Sequence, residues 1–131
     1  MYKNGMEFPN EGFVQNTIES YFDKKGFIKE SISYTDYAGV HMETREKWRV
    51  EAKGLTGNVG LDFRTGLGQL IQRMDDPNAN YGIAIPNIPS YLRQVEQIKP
   101  WVREKFQLHI LVINEDGGLH HVFPKNPLIS E

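Results

Sequence analysis

The sequence predicts an α/β fold in one domain, with a mixed central sheet flanked by helices. Three observations lead there. Apolar residues recur at helical spacing in some segments and alternate strictly in others, and the two patterns take turns along the chain. Residues 108–113 are almost wholly apolar, as in a strand covered on both faces. The 131 residues, 39% of them hydrophobic, suffice for one core, and no repeat or linker divides them.

Each element follows in turn. After a ragged start, a first helix is expected over about 11–25, capped by Asn10, with Val14, Ile18, Tyr21 and Phe22 as its apolar stripe and Gly26 as its left-handed stop. Residues 27–34 and 36–40 read as two strands, and the polar run 43–47 as a hairpin turn. Residues 48–53 form a third strand. Trp48, Val50 and Ala52 fall on one face, Arg49, Glu51 and Lys53 on the other. A glycine-containing loop, 54–60, leads to a helix over about 61–75 with Phe63, Leu67, Leu70, Ile71 and Met74 inward. Its internal Gly66 and Gly68 each cost about 1 kcal/mol against alanine, which points to close packing or to a functional approach of backbone. Residues 81–85 read as a buried strand. A helix opening at Pro89 and kinked at Pro100 follows, then the strand 108–113, a turn at 115–118 and a last strand over 119–123.

Composition removes several function classes. The absence of cysteine excludes disulfides, thiolate zinc sites and a cysteine nucleophile. A net charge of −2 excludes a supercharged polyanion binder but not a local basic face. No apolar stretch approaches a membrane span, and residues 1–7 lack a signal-peptide core, so a soluble, cytoplasmic domain is expected. The glycine-rich 54–68 region lacks the Gly-Lys-Ser/Thr ending of a phosphate-binding P-loop, and no Gly-x-Ser-x-Gly element occurs. Of the four histidines, His120 and His121 are adjacent and point to opposite faces of a strand. His109 is expected as a hydrogen-bonded core residue, and zinc chemistry is disfavoured. Trp48 and Trp101 read most simply as packing aromatics.

An opening helix, a three-strand meander with Asp36 on the second strand and Glu51-Ala52-Lys53 on the third, then a helix carrying Gly68-Gln69-Leu70-Ile71, resembles the PD-(D/E)XK nuclease superfamily. The resemblance spans about 11–85. It implies a restriction-endonuclease-like αβββαβ core with a C-terminal helix and β-hairpin (about 86–124) added, all within a single domain, 1–131. It also implies a nuclease that hydrolyses phosphodiester bonds, in DNA foremost, with RNA or branched DNA as alternatives. Mg2+, or Mn2+, would be held by Asp36, Glu51 and the carbonyl of Ala52. Lys53 would orient water or offset charge, and Gln69 would support it. Many relatives add an acid from the first helix, expected here as Glu19, with Gln15 one turn earlier as the alternative counterpart. Thr35 stands where the motif has proline. Homodimerisation is a further expectation from the family.

The chemistry of phosphodiester hydrolysis leads the same way. A divalent ion offsets charge on the phosphoryl group and prepares water, and magnesium wants hard oxygen ligands. Arg49, Arg64 and Arg73 are candidate nucleic-acid contacts, and with Arg45 and Lys47 they would form a positive rim. Two plainer alternatives stand beside this. Glu51 and Lys53 alone would also fit a surface ion pair worth at most about 1 kcal/mol. The domain as a whole would also fit a catalytically silent nuclease fold used for binding or assembly.

Overall fold

The structure, a computed structural model, describes residues 3–128. Six strands form one mixed sheet whose spatial order equals their order in the chain. β1 (Phe27–Lys29), β2 (Tyr37–His41) and β3 (Lys47–Ala52) make an antiparallel meander. β4 (Ala79–Pro86) and β5 (Leu108–Ile113) run parallel to β3, and β6 (Leu119–Val122) returns antiparallel. α1 (Glu11–Lys24) precedes the meander, and α2 (Val59–Gln72) makes the crossover from β3 to β4. α3 (Pro89–Glu96) and α4 (Pro100–Phe106) make the crossover from β4 to β5. The expected order, αβββαβ followed by helix and hairpin, is observed.

Strand parity divides the core in two. On β5, Leu111 and Ile113 join Trp48, Val50, Ala52 and Ala84 against Val14, Ile18 and Phe22 of α1. Leu108, Ile110 and Val112 face the other way, with Tyr81, Ile83 and Ile85, against Phe63 and Leu70 of α2 and Tyr91 and Val95 of α3. The central strands are thus covered twice, which explains their nearly unbroken apolar sequence. α1 is followed, one residue past its C-cap Lys25, by the expected left-handed stop at Gly26, whose φ of 97° belongs to glycine.

Beyond shifts of up to three residues at the ends of α2 and β4, three features differ from the sequence reading. β1 stops at Lys29 rather than continuing to residue 34, because it is an edge strand with Ile28 exposed and because Tyr34 adopts a left-handed φ of 63° that ends extended structure. Asp36 immediately precedes β2 rather than lying on it. The single kinked helix is two helices. Pro100 lacks the N–H to continue α3, and Lys99 before it is extended at ψ 151°.

Arg103 of α4 is buried, 2% exposed, with no carboxylate partner among the described residues. Its guanidinium instead donates to the carbonyls of Phe123, Pro124 and Asn126 at 3.3, 3.1 and 2.6 Å. Among the described residues no helix is long and apolar enough to cross a membrane.

Candidate functional site

The site forms where β2 begins and β3 ends. Tyr37 pairs with Val50, so the next rung would set Asp36 opposite Glu51. The backbone ladder does not continue there. Asp36 supplies the rung with its side chain, Oδ2 accepting from the Ala52 N–H at 2.8 Å. A strand residue turns its N–H and C=O to the same edge, so the Ala52 carbonyl is directed to the side on which Asp36 lies. Beyond it, Lys53 N donates to Ala84 O at 2.9 Å and keeps the strand straight through the motif.

Glu51 and Lys53 share the face of β3 that lies under α2. Space for them comes from Gly66, where an added Cβ would meet Lys53 Cδ at 2.9 Å and Glu51 Cγ at 3.6 Å. Gly68 has open space around it. The two glycines that look alike in sequence therefore differ, and only Gly66 marks a close approach. Glu51 is 9% exposed. Its carboxyl is pushed up to about 7, chiefly by burial and then by the neighbouring Asp36 carboxylate, against the opposing pull of Lys53 and Arg73.

Glu11, at the first turn of α1, completes the cluster. Burial raises its carboxyl above the usual range, and the Asp36 charge adds to that, with Lys53 opposing. Gly54 brings it there: a methyl group at Gly54 would overlap the Glu11 backbone nitrogen, and Leu55 N donates to Pro9 O at 2.9 Å. The chain leaving β3 is thus pressed against the start of α1. Along α2 and the residue that caps its C-terminus, Asp62, Gly66, Gln69 and Arg73 follow one another at helical spacing along the stripe over the site. Asp62 is felt by Glu11, and Arg73 by Glu51. Gln69 is half-buried between them. The oxygen donors assembled are the Asp36 and Glu51 carboxylates, the Glu11 carboxylate and the Ala52 carbonyl. Among the described residues no three His, Asp or Glu side chains form a ready-made metal cage.

Solved structures share this architecture. The fold is that of XisH-like proteins. An XisH family protein from Nostoc punctiforme matches with a TM-score of 0.58 at 19% identity, over 82% of this chain and 95% of that one. An FdxN element excision controlling factor protein from Anabaena variabilis matches with a TM-score of 0.56 at 19% identity, over 85% and 98%. No protein-family model matches the chain, and no curated protein does.

On this XisH-like sheet the remaining sequence candidates have other company. Glu19 sits two turns along α1 from Glu11, its carboxylate paired with Lys29 at 2.9 Å and held below its ordinary range by that partner and by Gln15. Gln15 links the two regions, donating to Glu19 Oε2 at 2.8 Å and to the Asp36 carbonyl at 2.6 Å. Arg49 is tied to Asp75 at 2.6 Å and lies 3.7 Å from Asp76, which also holds Lys47 at 3.0 Å. These two bases of the expected rim are therefore neutralised. Arg64 is exposed. Arg73 donates to the Tyr34 carbonyl at 2.7 Å, with its guanidinium 5.4 Å from the Tyr34 ring centre.

Sequence reasoning missed two groupings. For Glu11 the sequence offers only its place one turn before Gln15; the contact with Gly54 that brings it to the site lies far away in the chain. The other is a histidine pair across the sheet, His109 Nδ1 to His121 Nε2 at 2.8 Å, packed on Trp48 and Phe123. Burial, with neighbouring positive charge, lowers both imidazoles to about 4. His109 is hydrogen-bonded in the core, as expected; its partner was not foreseen.

Proposed function

We propose that this chain is a PD-(D/E)XK-type nuclease that hydrolyses phosphodiester bonds with Mg2+ or Mn2+, acting on DNA. The observation that carries the reading is the convergence of Asp36, Glu51 and Lys53 at one end of the sheet, with Glu51 pushed up to about 7 in that setting. Burial first, and the neighbouring Asp36 charge second, make the ionised Glu51 costly, and a divalent cation held between the two carboxylates would offset both effects. The donor set fits: Asp36, Glu51 and the Ala52 carbonyl would hold a hard divalent ion that keeps several waters. Such an ion would offset charge on the phosphoryl group and make water the better nucleophile.

The chain's own residues do the rest. Lys53, whose stem runs under Gly66 close to the Glu51 side chain, would use its ammonium to orient the attacking water or to offset charge building on the phosphate. Glu11, whose carboxyl is raised by burial and by the Asp36 charge, would be the first-helix acid, placed to hold or pass a proton to water at the site. Gln69 supports Lys53 or a phosphate oxygen from α2. One structural neighbour is described as an element excision controlling factor, which favours a nucleic-acid substrate over a small phosphodiester.

Purified chain is expected to nick plasmid DNA with Mg2+ or Mn2+ and to stop in chelator. Glu51→Ala and Lys53→Ala should each abolish nicking; nicking that survives both would overturn the residue assignment. A silent binding domain is the second reading, favoured by the Asp36 oxygen already spent on the Ala52 N–H. Calorimetric titration with Mg2+ separates the two, since a silent site should show no millimolar binding that depends on Asp36. A homodimer delivering paired cuts is part of the proposal, tested by light scattering with and without DNA.

A further inference from the structure

We propose that Tyr34 is a stacking platform for an unpaired nucleobase beside the carboxylate site, so that the chain selects nucleic acid with single-stranded or frayed nucleotides. This rests on the phosphodiesterase reading above and names its substrate class.

Tyr34 is 81% exposed, more than any other large apolar side chain among the described residues. A bulky residue rarely adopts its φ of 63°, and Arg73 holds it there through the hydrogen bond to its carbonyl. The same guanidinium lies over the ring at 5.4 Å. With so much of the side chain exposed, the opposite ring face is open. Asp36 follows two residues later, and Arg73 is felt by the Glu51 carboxyl, so one cation connects the ring to the carboxylates.

An aromatic ring backed by arginine is the chemistry that binds bases without regard to sequence, because every base has a π face. Bases inside a duplex are stacked on their own neighbours and cannot reach such a ring until they are unstacked. The alternative, a duplex held by its backbone, needs a broad basic surface. Here Lys47 and Arg49 are engaged by Asp75 and Asp76, and the net charge is −2. The features present favour a stacked base over a tracked duplex.

The test uses a single-stranded oligonucleotide carrying 2-aminopurine, mixed with the full chain in chelator so that nothing is cut. Wild type should quench the fluorophore and bind the single strand more tightly than a blunt duplex of equal length. Tyr34→Asn removes the ring while tolerating the left-handed backbone, and should weaken binding about 5-fold or more, as loss of one stacked base does. Tyr34→Trp should restore binding and quenching. Circular dichroism confirms that both variants are folded. Unchanged affinity and quenching in Tyr34→Asn, or equal affinity for single strand and duplex, would overturn the proposal. The two readings fail separately. Stacking lost in Tyr34→Asn without any Mg2+-dependent cleavage by wild type sinks the phosphodiesterase reading and keeps a single-strand binding site; cleavage with undiminished binding in Tyr34→Asn sinks the platform alone.

Discussion

Adding one methyl group at Gly66 should slow the reaction while leaving the fold nearly as stable as before. In a helix interior, glycine costs about 0.5–1 kcal/mol relative to alanine, so Gly66→Ala gains that much from propensity. Against the gain stands a contact of 2.9 Å to Lys53 Cδ, with Cε at 3.4 Å and Glu51 Cγ at 3.6 Å. Carbon atoms prefer about 3.5–4.0 Å, so the Lys53 side chain must retreat by something under about 1 Å. It is flexible, and yields before the backbone does. The net change in stability should stay within about 1 kcal/mol, a few degrees in melting temperature. The ammonium is displaced by a similar distance, and a misplacement near 1 Å costs about 100-fold when geometry governs the rate. Plasmid nicking in Mg2+ is therefore expected to fall about 10- to 100-fold. Gly68→Ala is the control, because nothing lies within 4 Å of its added methyl. It should gain about 0.5–1 kcal/mol in thermal denaturation and nick at the wild-type rate. Wild-type nicking by Gly66→Ala, or equal slowing by Gly68→Ala, would refute the geometric reasoning.

Other outcomes follow from the same interactions. Glu51, raised from 4.5 to about 7, binds its proton more tightly in the folded chain. Its contribution is full below pH about 4.5 and is lost as pH rises through 7, a fall on the order of 3 kcal/mol. Glu51→Gln should remove that fall in urea titrations in chelator at pH 5 and 8, and equal slopes for both proteins would count against it. His109, lowered from 6.5 to about 4, acts in the opposite direction. Its stabilisation is present above pH 6.5 and disappears as pH drops toward 4, so His109→Gln should flatten the acid limb; a limb of unchanged steepness would deny the pair this role. Glu11→Gln should slow nicking about 10-fold or more, a usual scale for a proton-transfer group. Glu19→Gln should leave nicking within about 2-fold and stability within about 1 kcal/mol, as exposed ion pairs do. A reversed ranking of these two variants would return Glu19 to the site.

Much of the architecture was legible because its signals are local. The stripe of α1, the alternation in β3 and the apolar run of β5 each state what their element buries, and Pro100 states that a helix cannot continue through it. Parity alone also placed Glu51 and Lys53 together. What was not legible depends on contacts far apart in sequence. Nothing near Glu11 says that the start of α1 rests on Gly54, and nothing near His109 says that β6 returns His121 to its side. The neutralisation of Arg49 likewise required Asp75 and Asp76 to come round after α2. Tyr34 was read as the end of a strand because its residue type favours one; the Arg73 hydrogen bond and the turn into Asp36 overrode that preference.

The arrangement around Arg103 makes the last described stretch an internal part of the molecule rather than an appendage. A cation with only peptide oxygens as partners depends on residues 123–126 staying in place. Shortening the chain before Phe123 would leave that charge stranded within the helix layer, at a cost of several kcal/mol, and would endanger the whole fold rather than trim one end. Fusion tags and reporter domains therefore belong beyond this segment, never in exchange for it.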